Sequence, residues 1–353
     1  MNDDRTRWRS PGIARSSVLL KSRASWFSRF NCAQFLQSST SSLSVNLLIG
    51  FAWIFLLLSI ASPANAAVLK AKTIRAFDQY VQNAELRMHN ELNSRNSFLW
   101  IDSLSSSNRA AAYARLRNGQ ILVHPLAAGL EIPGGMIHDW IGLAFIPNTT
   151  LNETLAQIQN YSTYAQIYSP QVVRSKILRH DGNNFEVSLW LQSKSLVTVV
   201  LNVVQNVKYL RLDASRAYSC AHSIRIAEVE NPGAPSEHEV PWAVGHGYLW
   251  KLNDYSWFLQ TPAGVYVQFE AIALSRDIPW GLGWLIKPFV TKIPRESLVF
   301  TLAHTRASLE AATLQSAKVD GGSPSAANLN EILARNLGFA RNREQSPGNS
   351  IYP

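Results

Sequence analysis

From Gln171 to Arg276 the chain offers six strand-like runs in succession and no strong helical pattern, and a single apolar stripe at helical spacing then follows. The runs are "VVRSKILR", "FEVSLWLQ", "LVTVVLNVVQNVKYLRL", "AYSCAHSIRIAEVE", "GYLWKLNDYSWFLQ" and "GVYVQFEAIALSR". Short turn signals separate most of them: Asp181-Gly182, Ser193-Lys194-Ser195, Asp213-Ala214-Ser215 and Pro262-Ala263-Gly264. Consecutive strands joined by short turns must pair antiparallel. Phe185, Val187, Leu189 and Leu191 give one apolar face, as do Val265, Val267, Phe269, Ala271 and Ala273. On that alternation Gln268 and Glu270 face outward. The stripe that follows is Leu298, Leu302, Thr305, Leu309 and Ala312, behind a first-turn proline at Pro294. One face of the sheet can then be covered by this helix, which makes the class α+β. A curved sheet that grips a long helix leaves a space between them, and such spaces take ligands.

Upstream, "GGMIHDWIGLAFIP" reads as another long strand, for about seven in all, and Thr150 with Glu153 forms a capping box for the helix after it. Residues 67–130 read as an extension that docks on the rest. In it, Ile74, Phe77, Val81, Ala84, Met88 and Leu92 recur at helical spacing. "FLWID" is a short strand candidate, Asn108–Arg117 a second helix, and "QILVHPL" an extended piece. The expected organisation is a basic N-terminal region and signal peptide over 1–66, the extension over 67–130, a sheet-and-helix domain over 131–314, and a mostly disordered tail over 315–353.

The formal charge is +9, but residues 1–46 hold seven Arg/Lys against two Asp, and the remainder holds 26 basic against 22 acidic residues. The excess is therefore N-terminal, which argues against a nucleic-acid partner. The apolar run Asn46–Ala61 follows the basic region, and Ala64 and Ala66 give the A-x-A pattern of signal peptidase. Cleavage after Ala66 and a periplasmic or secreted destination are expected, and an uncleaved N-terminal anchor is the alternative. Cleavage leaves Cys220 alone, so an internal disulfide is excluded and the core must hold the fold. A lone Cys on a strand reads as a small buried hydrophobe rather than a nucleophile.

In "GGMIHDWIGLAFIP", "YSPQVVRSKIL", "RIAEVENPG", "GYLWKLNDYSWF", "VYVQFEAIALSRDIPWGLGWLIKPF" and "IPRESLVFTLAHTR" the chain resembles the START-like, or SRPBCC, superfamily. It is most similar there to bacterial START-like proteins without an assigned activity. The resemblance covers about Gly134 to Ala312 and implies a helix-grip fold with a pocket. Lipid-transfer domains and polyketide cyclases and aromatases share that superfamily. The pattern departs from the group at Asp139, where a second His is common, and at Ser256, where a second aromatic or a Trp-Arg pair follows the tyrosine.

"SRDIPWGLGWLIKPF" has only two glycines of a phosphate loop, Gly281 and Gly283, and no following Lys-Ser/Thr. It is too short, and too broken by Pro279 and Pro288, to span a membrane, although its tryptophans suit an interface and peripheral membrane contact. It reads as a joint in which Trp280, Trp284, Leu285, Ile286 and Phe289 cap the open end of the grip. Arg276 and Asp277 beside it are either a charged anchor for a ligand head group or a local pair that ties strand to joint. The aromatics Tyr248, Trp250, Trp257, Tyr266 and Phe269 on the last two strands suit an amphipathic ligand. The candidate ligand-binding set is thus Tyr248, Trp250, Tyr266, Phe269, Arg276, His138 and Trp284. His138, His222 and His246 lie on three separate strands and could converge, but they lack metal-ligand spacing, so neither metal nor cofactor is expected. No G-x-S-x-G surrounds Ser219 or Ser275. The expected partner is a hydrophobic small molecule or lipid. A cyclase or aromatase using the same pocket, and a structural partner protein without a ligand, are the alternatives.

Overall fold

The computed structural model describes residues 69–94, 97–194, 198–240, 245–278 and 283–319, with side chains for all of these except 283–291 and 316–319. The segment expected to be a signal peptide, and the expected tail beyond residue 319, lie outside the described residues, while 315–319 are helical rather than part of a disordered tail. Helix α1 spans Ala71–Asn93, a 3-10 turn Trp100–Ser103, and α2 Ser106–Arg117. Strands β1 (Leu122–Ile132) and β2 (Gly135–Pro147) lead to α3 (Leu151–Gln159) and α4 (Tyr164–Ile167). Then come β3 (Val172–Asp181), β4 (Asn184–Lys194), β5 (Thr198–Arg211), β6 (Arg216–Glu230) and the short β7 (His238–Glu239). The chain closes with β8 (Lys251–Thr261), β9 (Gly264–Ser275) and α5 (Gly283–Val319).

All nine strands form one antiparallel sheet in the order β1-β2-β9-β8-β6-β5-β4-β3, with β7 paired to β6. This is the α+β helix grip that the strand run implied. The Thr150 capping box forms as read: the Thr150 hydroxyl accepts from the Glu153 amide at 3.2 Å, and the Glu153 carboxylate accepts from the Thr150 amide at 2.7 Å. β1 takes the end of the 67–130 stretch into the sheet, where Leu122–Ile132 pairs with β2.

Helix α5 packs along β2 and β1 on what we call the inner face. Leu298, Leu302 and Leu309 are buried there with Trp140, Ala144, Val265 and Val267. Gly142 makes the close approach possible. A Cβ at that position would stand 2.8 Å from Leu302 Cδ1 and 3.1 Å from Leu298 Cδ2.

Three further expectations fail. "FLWID" is a 3-10 turn: the Asp102 carboxylate accepts the Leu99 amide at 2.8 Å and curls the segment. α5 begins at Gly283, so Pro288 and Pro294 lie within it rather than at its start. The third failure matters most. Glu270 and Gln268 do not face solvent, since both are fully buried. α1, the 3-10 turn and α2 cover the outer face of the sheet, where Phe77, Val81 and Met88 pack with Tyr218, Tyr255, Trp257 and Tyr266. Strand β2 is consequently buried at every position from Gly135 to Ile146. A strand covered on both faces reads as a continuous apolar run rather than an alternation.

Candidate functional site

The inner face carries two apolar clusters that do not merge. One holds Phe185, Val187, Phe258, Val265, Val267 and the α5 leucines. The other holds Leu201, Val203 and Ile226, with Leu191, Leu249 and Leu252 against it. The registers Gln205↔Ser223, Ala221↔Asp254, Asp254↔Ala271 and Ser256↔Phe269 put those side chains between the two clusters. Asp254, Ser256, Phe269, Ala271 and Ala273 keep partial exposure, whereas Val265 and Val267 further along β9 have none.

Asp254 is the informative member. It lies deep within the protein, yet it retains accessible surface. The surface that Asp254, Ser256, Phe269, Ala271 and Ala273 keep marks a space between the two clusters, wide enough for a water molecule to touch them, which we call the hollow. The Gln205 amide nitrogen donates to Asp254 Oδ2 at 2.7 Å, reaching across β6 over the small residues Ala221 and Ser223. Oδ1 has no partner among the described residues. Burial pushes the carboxyl up to about 6, with Gln205 and His222 opposing.

The Gly245–Trp250 loop stands beside the end of β9. The buried Glu228 carboxylate accepts from the backbone N–H groups of His246 (3.0 Å), Gly247 (2.8 Å) and Tyr248 (3.3 Å), and it meets the His246 ring at 2.8 Å. Gly247 and Trp250 are then zipped to the end of β9: the Arg276 amide donates to Gly247 O and the Trp250 amide to Leu274 O. The positive φ of Gly247, 74°, and the closeness of Trp250 and Arg276 to it leave no room for a side chain.

The expected ligand set is divided by this geometry. Phe269 and His138 are on the inner face, and Arg276 and Tyr248 stand at the loop end. His138 is buried, its Nε2 lies 3.2 Å from Ser275 Oγ, and burial lowers it to about 4, so it is neutral at physiological pH. Arg276 donates to the His246 carbonyl at 3.1 Å and forms no ion pair with Asp277, against the reading of a local pair that ties strand to joint. Tyr248 is exposed and stacks on His246. Trp250 and Tyr266 are placed elsewhere, in the outer-face core beneath α1. The Trp284 side chain lies outside those described. The three histidines do not converge, and no group of metal-ligating side chains is found among the described residues. Cys220 is half-buried, and burial raises its thiol.

On the outer face, Glu270 and Asp139 lie diagonally across β9 and β2 under α1. Arg87 donates to Glu270 at 2.5 Å and Tyr80 to Asp139 at 2.9 Å. Burial first and the Asp139 charge second hold Glu270 above the ordinary carboxyl range, with Arg87 opposing. The Arg87 guanidinium, disfavoured by burial, is nevertheless held up by Glu270, which reads as a fully ionic pair. The carboxyl decides between these readings, because the Arg87 side chain is 36% exposed and that of Glu270 is 0% exposed. Glu85 makes a third tether, meeting His222 at 2.9 Å and accepting from Tyr255 at 2.8 Å. These groups fasten the N-terminal helix, and none reaches the hollow.

Two surface clefts of about 310 and 300 Å³ flank α3. Their charged residues are committed locally: Arg211 to Asn152 and Glu153 to the α3 cap. Neither cleft is the inner hollow.

No family model matches the sequence, and no curated protein matches it. Solved structures do match. A STAR-related lipid transfer protein from Xanthomonas axonopodis is 14% identical, with 52% of this chain and 98% of that one covered, at a TM-score of 0.33. Human STARD10 is 9% identical over 66% and 93%, at 0.34. The Zhui aromatase/cyclase from a Streptomyces species is 11% identical over 54% and 93%, at 0.31. The likeness is to START-type proteins and concerns the fold. What the hollow does rests on its own residues.

Asp254 is the site residue that sequence reasoning missed. Alternation along β8 contains the signal, since Asp254 and Ser256 share a face with Phe258. A charged residue in step with an apolar stripe is informative because burying it is costly.

Proposed function

We propose that the chain is an exported binding protein that holds a hydrophobic small molecule or lipid between the inner face of the sheet and α5. One observation carries this reading: the unmerged apolar clusters on the inner face, with partly accessible Phe269, Ala271 and Ala273 between them. A well-packed interior leaves few voids larger than a water molecule, so an apolar hollow asks for an occupant. The basic N-terminal stretch, the apolar run and the Ala64-x-Ala66 pattern support export. Native mass spectrometry of protein purified from its own envelope, followed by organic extraction, tests the binding. A defined apolar species is expected, and it should be lost in Ala271→Trp, which fills the hollow. Protein that arrives empty and takes up no fluorescent lipid probe overturns the reading.

A cyclase or aromatase function is the second reading. Asp254 favours it, as an inward carboxyl held near 6 and so able to move a proton near neutral pH. Its mark would be a chemically altered polyketide-like chain after incubation, abolished in Asp254→Asn.

A further inference from the structure

We propose that the ligand of the hollow carries a cationic amine, and that Asp254 is its counter-ion. This rests on the binding reading above and assigns the chemistry of the head group. Buried charges in proteins are paired, because an isolated carboxylate away from water is costly. Among the described residues no Lys or Arg pairs with Asp254, and its one bond is the neutral donor Gln205 on Oδ2. No described residue donates to the other carboxyl oxygen. The surrounding acceptors extend the match. Gln205 Oε1 and Ser256 Oγ make no bond to a described residue, and Ser256 stands two positions along the same face of β8. An ammonium offers three donors and no acceptor, which fits three oxygens to which no described residue donates. A fatty carboxylate would instead bring a second anion beside the first. The other inner-face carboxylate, Glu228, is saturated by the Gly245–Trp250 loop and does not compete for a cation.

Three fluorescent probes of one chain test this: cis-parinaric acid, the corresponding alcohol, and the corresponding primary amine. Each is titrated into delipidated protein at pH 7.5. The amine should bind about tenfold or more tighter than the acid, the size of one charge-assisted contact. In Asp254→Asn the preference should collapse to about twofold while the chain still binds. Asp254→Ser is the second variant, removing the charge without added bulk, should the amide fail to fold. Equal or tighter binding of the acid by wild type overturns the proposal, as does an amine preference that survives both substitutions. If wild type binds none of the three probes, the binding reading falls and this one with it. A wild type that binds them all alike leaves the binding reading standing and removes only the amine.

Discussion

Replacing Asp254 with asparagine should stabilise the unliganded protein, and by an amount that depends on pH. The group is surrounded by protein and burial moves it from 3.8 to about 6. A carboxyl that is harder to ionise when folded favours the folded state at low pH. That contribution is fully present below 3.8, is lost as the pH rises towards 6, and is gone above it. At about 1.36 kcal/mol for each pH unit, wild type carries about 3 kcal/mol of ionisation penalty at pH 8. The variant would carry none, since its side-chain amide does not ionise, keeps the Gln205 bond and turns its nitrogen into the hollow. For a domain of this size the melting midpoint should rise by about 6 to 12 °C at pH 8 and barely change at pH 4. Thermal unfolding of delipidated wild type and Asp254→Asn, followed by circular dichroism at both values, measures it. A difference of the same size at pH 4 and pH 8 would refute the burial argument, and so would a wild type that is the more stable at pH 8.

Gly142→Ala puts a methyl group against Leu298 and Leu302 and should cost about 1 to 3 kcal/mol in a urea titration, without loss of secondary structure. Glu228→Ala removes the acceptor of three consecutive loop amides and should cost about 1.5 to 3 kcal/mol. Hydrogen exchange should speed up at His246, Gly247 and Tyr248 and not at α1. Arg87→Leu lifts the opposing cation from Glu270, so the carboxyl titrates higher still and the loss of stability should be small at pH 5 and larger at pH 8. Amides of α1 should exchange faster only at the higher pH, and a loss that is equal at both values would contradict the raised Glu270.

The strand run, the capping box at Thr150 and the helical stripe from Leu298 were legible in the sequence because each is a local pattern with one meaning. The side on which Glu270 stands was not. Val265, Val267 and Phe269 supply a complete apolar face, and nothing within β9 says that a helix some 180 residues earlier covers the other. Buried Tyr266 and Ile272 were the visible counter-signal, as was β2, whose lack of alternation marks a strand covered on both faces. The face on which Tyr266 stands was hidden for the same reason. Tyr266 was assigned to the ligand on aromatic character, a property that outer and inner cores share. Asp254 was passed over because a single strand read alone cannot show that its neighbours across β6 are small, or that Gln205 reaches over them.

The close seat of α5 on Gly142 has a mechanical meaning. Leu298 and Leu302 lock into that notch, while the helix runs on towards its N-terminal end at Gly283. The stretch from Gly283 to Leu298 is about 22 Å long at 1.5 Å per residue. A tilt of about 10° about the notch swings its tip by about 4 Å, roughly the contact distance between two carbon atoms and so the girth of an extended hydrocarbon chain. Were the proposed ligand to enter past this stretch, such a tilt would admit it with every strand still paired and every core leucine in place, the pivot being a residue without a side chain.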